Sequence, residues 1–405
     1  MRHNNSEHFF AELCGYAYLS AFTFHSPKIY DPTEKEVGDI IIWVRTQLIV
    51  FELIWRAENK ESTKSFIKRI GEKREQLFKD FEVFQSKKNV HMVNKSGRKI
   101  EYKPDYFVPF NFFGLVIIDC ESQLEKIHYG TLLKATESPF PMAVMTKSDF
   151  QDILNEVDTS SDLKFYLRDR FAFFKKVYEK SADFFLNMNK SREKQLIAFY
   201  KINNYEFPLD NWDPEHDYWS DFHRDYSSQI KKRNQENDES MIIDGLINTI
   251  MEIKEEELPL VHAWQLAVIP RRARAGMFAK KIIDALEKMK NGKAQRHFAI
   301  HNSMTNCWLV FYFQYGGNRE NLIKQIEKLS KLKLIYEISE RGFSDSVIGY
   351  GFRKSEIITG NKVDDIVLVI EDAVNYKSVS SALLSEAKRF FKGATSSHRI
   401  QELPN

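Results

Sequence analysis

Two carboxylates interrupt an otherwise apolar stretch of this chain, residues 38–56, which reads GDIIIWVRTQLIVFELIWR. Asp39 opens the stretch, and Glu52 lies deep in its second half between Phe51 and Leu53. Burying an unpaired charge is costly, so carboxylates at these positions need a compensating partner. Chemistry based on paired carboxylates is therefore the first hypothesis that the sequence suggests.

The residues around the two acids predict a β-hairpin, with strands Asp39–Val44 and Gln47–Trp55 joined by a two-residue turn at Arg45–Thr46. If the strands pair directly from that turn, Asp39 lies opposite Glu52. Opposed residues of an antiparallel pair share one face, with about 5 Å between their Cβ atoms. Like charges that close repel unless a cation lies between them or one is protonated. A hard divalent ion held by carboxylate oxygens resolves the conflict.

Two other interpretations of these residues stay open. Asp39 follows Gly38 and would suit a loop, while Glu52 would pair with Arg56 or lie at a sheet edge. The register also depends on a turn without the favoured Asn-Gly chemistry. A slip of one residue would place the two acids on opposite faces.

Short segments along most of the chain resemble the PD-(D/E)xK nuclease superfamily. The closer resemblance is to a group of bacterial nuclease-like proteins. In that group the first core strand begins with kELcD and the helix after the hairpin carries kQl. Later segments of those proteins carry other short motifs. The matching segments are KEVGD (35–39), REQLF (74–78), DTSSDLKFYLRDR (158–170), PRRARAGMFAK (270–280) and SVIGYGF (346–352).

The resemblance implies Mg²⁺-dependent (or Mn²⁺-dependent) hydrolysis of phosphodiester bonds in DNA, with a role in bacterial anti-phage defence. Asp39 and Glu52 would hold the metal, and Glu12 or Glu7, on a helix before the hairpin, is a candidate third ligand. The ordinary structural interpretation of Glu12 and Glu7 is negative charge near a helix N-terminus. The family's lysine, two residues after the second acid, is replaced by Ile54. Arg56 lies on the same strand face and is the candidate substitute, although its high pKa makes it a poor proton shuttle.

Two basic clusters are candidate nucleic-acid contacts. Arg271, Arg272 and Arg274 stand at a predicted helix N-terminus, where arginines and backbone N–H groups suit phosphate. Lys64 and Lys68 lie on the predicted helix that follows the hairpin. Solvated charged faces are the ordinary structural interpretation of both clusters.

Composition narrows the class of protein further. The chain has 405 residues and a formal net charge of +2, which excludes a strongly basic nucleic-acid coat but not a local basic groove. Cys14, Cys120 and Cys307 form no CxxC pair, which argues against zinc ribbons and disulfide frameworks and favours a reducing cytoplasm. No apolar segment suits a signal peptide or a membrane span.

The pattern of elements predicts an α/β (α+β) protein in three parts. These are a nuclease-like mixed sheet flanked by helices (1–146), a helical middle region (147–258) and a C-terminal α+β domain (259–405). Within them the sequence predicts a helix at 6–24, a connector at 25–37, an irregular aromatic segment at 205–226 and a strand at 263–270.

Three functional hypotheses follow. The first is the DNA nuclease, and the second is a catalytically degenerate member of the same fold that binds nucleic acid or a partner protein, which Ile54 favours. The third is an interaction scaffold whose acids pair internally. The sequence leaves DNA versus RNA, the partner and the oligomeric state open.

Overall fold

A computed structural model gives the architecture of the chain. It describes residues 14, 22–30, 34–55, 63–86, 89–94, 97, 99–119, 138–157, 159–180, 192–213, 215–253, 258–270, 277–291, 296–341, 346–354, 365–373, 380–391 and 399–400. These residues fall into two compact units, 1–233 (the N-terminal unit) and 234–405 (the C-terminal unit). The protein is of mixed α/β class, as predicted.

The N-terminal unit is built on an eight-stranded mixed sheet. Its path runs β6-β5-β1-β3-β4-β7-β8, with β2 paired to β1. The β4–β7 and β7–β8 pairs are parallel and the other pairs are antiparallel. The strands are β1 (Thr23–Tyr30), β2 (Glu34–Glu36), β3 (Ile40–Val44), β4 (Gln47–Trp55), β5 (Val90–Asn94), β6 (Lys99–Tyr102), β7 (Phe112–Asp119) and β8 (Met142–Thr146).

The β3–β4 hairpin has the predicted register. Val44 pairs with Gln47 and Ile40 with Phe51, so the turn consists of Arg45 and Thr46. Arg45 takes a left-handed φ of 55°, which lets a turn without glycine close on two residues. Both strands lie in the middle of the sheet, and this is why their residues are apolar on both faces.

Helix α1 (Thr63–Gln85) covers one face of β4 and β7. The helix lies close to the sheet at Gly114, where an added Cβ would stand 2.8 Å from the Phe140 ring and 3.1 Å from Leu77 Cδ1. Real Cβ atoms essentially never approach a neighbour as closely as 2.8 Å and seldom as closely as 3.1 Å, so glycine at this position eases the contact between helix and sheet. The close packing fixes α1 directly above the strand that carries Glu52.

The other helices of the N-terminal unit begin where β8 ends. They are α2 (Lys147–Glu156), α3 (Ser160–Lys180), α4 (Arg192–Ile202) and α5 (Tyr218–Asp225), followed by α6 (Ser227–Met251), which continues into the C-terminal unit. Aromatic residues of α3, α4 and α5 form a core of their own around Phe173, Phe199 and Trp212. Phe199 contacts the rings of both Trp212 and Tyr218 at 4.9 Å.

The C-terminal unit contains a five-stranded mixed sheet in the order β12-β11-β10-β9-β13. Its strands are β9 (Arg296–Asn302), β10 (Cys307–Tyr315), β11 (Ser346–Lys354), β12 (Asp365–Asp372) and β13 (Arg399–Ile400). Its helices after α6 are α7 (Leu258–Ala267), α8 (Met277–Lys290), α9 (Arg319–Arg341) and α10 (Ser381–Phe391). Helix α9 packs on the sheet with α10 and contributes Leu322 and Ile326 to the core.

Several predicted elements differ from the structure. The segment at 263–270 is wrong as a strand, because Leu258–Ala267 forms a helix whose residues from Pro259 to Ala267 are nearly all buried. The connector at 25–37 contains β1 and β2, and the irregular segment at 205–226 contains α5. The predicted helix at 6–24 lies mostly outside the described residues, and its last residues, Thr23 and Phe24, belong to β1.

The division into units also differs from the three predicted parts. Residues 147–233 belong to the N-terminal unit. The three-domain division stays a prediction, because a compact unit and an independently folding domain are different properties. None of the helices in the described ranges is long and apolar enough to cross a membrane.

Candidate carboxylate–lysine site

Asp39 is held in place by the backbone on both of its sides. Gly38 before it has a φ of +70°, and a Cβ there would stand 2.6 Å from Val50 Cγ1, so a side chain would disturb the chain's entry into β3. The Asp39 N–H donates to Phe51 O at 2.9 Å. In return, Asp39 Oδ2 accepts from the Leu53 N–H at 2.6 Å. These bonds direct the carboxylate toward β4 rather than into solvent.

Glu52 lies on β4 and is only 2% exposed. Since Ile40 pairs with Phe51, the next position along the ladder brings Asp39 beside Glu52. The two carboxylates share one cation, Lys73 of α1. Lys73 Nζ donates to Asp39 Oδ2 at 3.1 Å and to Glu52 Oε2. The predicted convergence of the two acids is confirmed, and an ammonium group lies between them.

A stripe of polar residues on α1 completes the cluster. Lys73, Gln76 and Asp80 are spaced i, i+3 and i+7, which places them on one helix face. Gln76 Nε2 donates to Asp80 Oδ1 at 2.9 Å. Asp80 is 1% exposed, and its Oδ2 is buried with no hydrogen-bond partner among the described residues. We call Asp39, Glu52, Lys73 and Asp80 the carboxylate–lysine site.

The electrostatics of the site favour an additional positive charge. Burial and the neighbouring Asp39 raise the pKa of Glu52 to about 8, although Lys73 opposes the shift. Burial likewise raises the pKa of Asp80 to about 6. Burial lowers the pKa of the Lys73 ammonium, but Glu52 and Asp39 more than reverse this, and the net shift is upward. Glu52 therefore keeps its proton to a much higher pH than an exposed carboxyl does, and Asp80 does so to a smaller extent.

The position at which the resemblance leads us to expect a lysine is filled by an apolar side chain. Ile54 is 1% exposed and lies on the same strand face as Glu52, beneath α1. The cation of this site comes instead from the helix, as Lys73. Arg56, the substitute expected from the sequence, and Glu12, the expected third ligand, both lie outside the described residues, so their roles stay predictions.

The predicted nucleic-acid contacts are only partly within the described chain. Lys64 and Lys68 are exposed on α1, and Lys68 Nζ pairs with Glu72 at 3.3 Å. Arg271, Arg272 and Arg274 lie outside the described residues. Contact of these side chains with nucleic acid remains a prediction.

The donor set of the site fits a hard cation in its chemistry. Asp39, Glu52 and Asp80 offer only carboxylate oxygens, which Mg²⁺ prefers, and one of those oxygens has no hydrogen-bond partner. Across the described residues, however, no three His, Cys, Asp or Glu side chains are arranged around one point as metal ligands. With Lys73 between Asp39 and Glu52, the metal assignment stays a prediction.

Sequence reasoning missed Lys73, Gln76 and Asp80. The signal was present in KREQLFKD (73–80), where a lysine, a glutamine and an aspartate at helical spacing interrupt one face of a helix that follows the acidic hairpin. The family resemblance covered residues 74–78, so it began one residue after Lys73 and ended two residues before Asp80. Only the rotation of α1 about its axis, which the structure supplies, shows that this face meets Glu52.

The fold and the site together define a class: a mixed α/β protein with buried acids around a lysine at a central hairpin. No family model, curated protein or solved structure matches the chain. Functional assignment therefore depends on the chemistry of the site.

Proposed function

We propose that this protein is nuclease-like and acts on DNA by Mg²⁺-dependent phosphodiester hydrolysis, with Lys73 supplying the cation that the strand lacks at Ile54. One observation carries the proposal. Two carboxylates from the β3–β4 hairpin converge on a single ammonium group from the following helix. A site with acids for a metal and a lysine for phosphate charge contains the main parts that the reaction needs.

Each residue has a definite task in this proposal. Asp39 and Glu52 would hold Mg²⁺, which when bound supplies a Lewis acid and a more acidic water. Lys73 donates hydrogen bonds to a phosphate oxygen and stabilises the charge that develops there. The Leu53 N–H fixes the direction of the Asp39 carboxylate through its 2.6 Å hydrogen bond. Gln76 fixes one oxygen of Asp80 and leaves the other directed into the buried cluster.

The shift of the lysine from strand to helix is physically reasonable. A phosphate interacts with the ammonium group, so the position of that group matters and the element that carries the lysine does not. The lysine side chain has four carbons, and it can bring its ammonium group to the same position from a strand or from a helix. Lys73 reaches Glu52 from α1, whose distance from the sheet is fixed by the packing at Gly114. Ile54 then serves as part of the apolar surface under that helix.

Cleavage of labelled DNA by the full chain, with Mg²⁺ or Mn²⁺ and with EDTA, tests the proposal. Asp39→Asn, Glu52→Gln and Lys73→Ala should each reduce the rate by roughly 100-fold or more. Lys79→Ala is the matched control, since Lys79 is exposed on the same helix. Metal-dependent cleavage that survives Asp39→Asn and Lys73→Ala would show that this site does not perform the reaction.

A non-catalytic role is the second candidate, and the Lys73 bridge favours it. An internal ammonium group already compensates Asp39 and Glu52, so the cluster is satisfied without a metal. Under this alternative the protein binds nucleic acid or a protein partner and cuts nothing. Absence of cleavage by the wild type, together with metal-independent DNA binding, would select this role.

The cellular setting is proposed on the resemblance alone. A bacterial nuclease-like protein of this kind would act in the cytoplasm against foreign DNA. Loss of protection against phage in cells that carry Asp39→Asn, with unchanged protein level, is the expected result.

A further inference from the structure

A second surface of the N-terminal unit lies at the opposite end of β4 from Glu52. The β3–β4 turn is there, and five residues of extended strand, roughly 17 Å, separate Gln47 from Glu52. This surface shares no residue with the carboxylate–lysine site. Whatever binds here can therefore be tested whether or not the protein cuts DNA.

Two side-chain hydrogen bonds tie this turn to its neighbours. Asn111 Nδ2 donates to Thr46 Oγ1 at 2.9 Å, which brings the short turn before β7 against the hairpin. Gln47 Nε2 donates to Ser160 O, which brings the start of α3 to the same place. Residues next to these anchor points are therefore neighbours in space.

The first such neighbour is a solvent-exposed aromatic side chain. Phe110 directly precedes Asn111 and is 86% exposed, the most exposed large apolar side chain among the described residues. No ring or cation contact involves it within the described part of the chain. A flat ring held out from a well-anchored turn is available for stacking, whereas a core role would require burial.

The second neighbour is a stripe of cations. Lys164 and Arg168 follow Ser160 at successive i+4 positions of α3, so they continue along the helix face that starts at the hairpin turn. Lys175 lies seven residues after Arg168 and extends the stripe by two turns. Within the described part of the chain no carboxylate pairs with Lys164 or Lys175, whereas Arg168 contacts Asp169 at 2.8 Å.

Lys164 also interacts electrostatically with Arg168 of the same helix and with Arg45 of the hairpin turn. Burial lowers the pKa of the Lys164 ammonium, and the charges of Arg168 and Arg45 lower it further. Positive charges held this close to one another favour a bound anion, and Asp169 compensates only Arg168 directly among the cations of the stripe. A polyanion would relieve this repulsion along the whole stripe.

We infer that Phe110, Arg45, Lys164 and Arg168, which we call the turn surface, bind single-stranded DNA. Charge complementarity assigns the phosphates to the cations, and the exposed ring supplies a platform for one base. A cationic track beside an aromatic platform is the combination that single-strand binding uses. Duplex DNA would offer its phosphates but not an unstacked base for Phe110, so the single strand is the better match.

Fluorescence anisotropy with the full chain and a labelled 20-nucleotide oligothymidylate tests the inference. Phe110→Ala should weaken binding by about 5- to 150-fold without changing its salt dependence, since stacking involves no counterion release. The double variant Lys164→Gln/Arg168→Gln should weaken binding and reduce the slope of log affinity against log salt by about 1.4, for two lost contacts.

Matched variants keep these results interpretable. Met241→Ala removes an exposed apolar side chain, and Lys324→Gln removes an exposed cation, both far along the sequence from the turn surface. Neither should change the affinity. Phe110→Trp should retain binding, and its fluorescence should be quenched by the oligonucleotide. This variant keeps the test valid if the charge variants fold poorly.

Four outcomes would overturn the assignment. The first is an unchanged affinity in Phe110→Ala, and the second is a loss of affinity in the control variants equal to that in the turn-surface variants. The third is tighter binding of duplex DNA or of oligouridylate than of oligothymidylate. The fourth is displacement of the DNA by equimolar polyglutamate. The last result would assign the surface to acidic protein segments instead. Loss of cleavage with binding intact would affect only the proposed function.

Discussion

At the scale of single residues, Glu52 is the most strongly perturbed member of the site. Its carboxyl is buried beside Asp39, and its pKa is about 8 in the folded protein against 4.5 for the unfolded chain. A raised pKa means that the folded protein binds the proton more tightly. Stability from this group is complete below about pH 4.5 and is lost as the pH rises through 8.

This difference predicts a pH-dependent effect of Glu52→Gln. Below pH 5 the variant should resemble the wild type, since glutamine mimics the protonated acid. At pH 9, with EDTA present, it should be more stable than the wild type by about 1–3 kcal/mol. Urea unfolding across the pH range measures the effect. Parallel stability curves for the two proteins would show that Glu52 titrates normally.

Lys73 gives a second prediction at this scale, concerning metal affinity. Because its ammonium lies between Asp39 and Glu52, it competes with any cation that those acids bind. Lys73→Met should therefore show a larger increase in melting temperature with Mn²⁺ than the wild type does. Asp39→Asn in the same background should abolish the increase. An Mn²⁺ response that persists in the double variant would place metal binding elsewhere.

Some of the side chains in the carboxylate–lysine site can be placed from the sequence, and others cannot. The pairing of Asp39 with Glu52 follows from counting along a two-residue hairpin, because strand geometry fixes which residues are opposed. Lys73 and Asp80 could not be placed by counting. Their contact with Glu52 depends on how α1 is rotated and where it crosses the sheet, and side-chain packing over the whole face decides both.

At the scale of elements, the packing of α1 on the sheet determines whether the site forms. Gly114 permits the close contact, and Leu77 and Phe140 are the side chains that meet there. An added Cβ at Gly114 would force its neighbours, among them Leu77 of α1, to move by a few tenths of an ångström. The position of Lys73 therefore depends on a glycine that is distant from it in the chain.

Gly114→Ala should consequently destabilise the protein by about 1–3 kcal/mol, because the added methyl group overpacks the contact with Phe140 and Leu77. Gly71→Ala is the control in α1 itself, where no atom lies within 4 Å of the added Cβ. It should stabilise the helix by about 0.5–1 kcal/mol. Chemical denaturation measures both changes. Equal effects of the two substitutions would contradict the close contact at Gly114.

The two apolar strands of the hairpin were identified from the sequence at 39–44 and 47–55, and the structure has them at Ile40–Val44 and Gln47–Trp55. The errors have a physical cause. The segment at 263–270 is a short apolar run, and such a run suits a buried strand or a buried helix equally well. β1, in the supposed connector, contains Pro27 and Lys28, so its strand character comes from pairing with β3 and β5 rather than from composition.

At the scale of the whole molecule, the question is whether the aromatic core of α3, α4 and α5 belongs with the large sheet. The sequence predicted a separate middle region, whereas the compact unit extends to residue 233. Contacts of α2 with β7 and β8, and of α4 with α2, connect this region to the sheet. Cooperative unfolding of the region with the sheet is the expected consequence of those contacts.

Three buried side chains provide the test: Leu77 on the buried face of α1, Phe199 in the aromatic core and Leu322 in the C-terminal unit. Each alanine substitution leaves a cavity that costs about 2–5 kcal/mol. In calorimetry, Leu77→Ala and Phe199→Ala should lower the midpoint temperature of the same unfolding transition, because their regions pack together. If the two units unfold separately, Leu322→Ala should lower the midpoint temperature of a different transition. A transition moved by Phe199→Ala alone would establish the three-domain division that the sequence suggested.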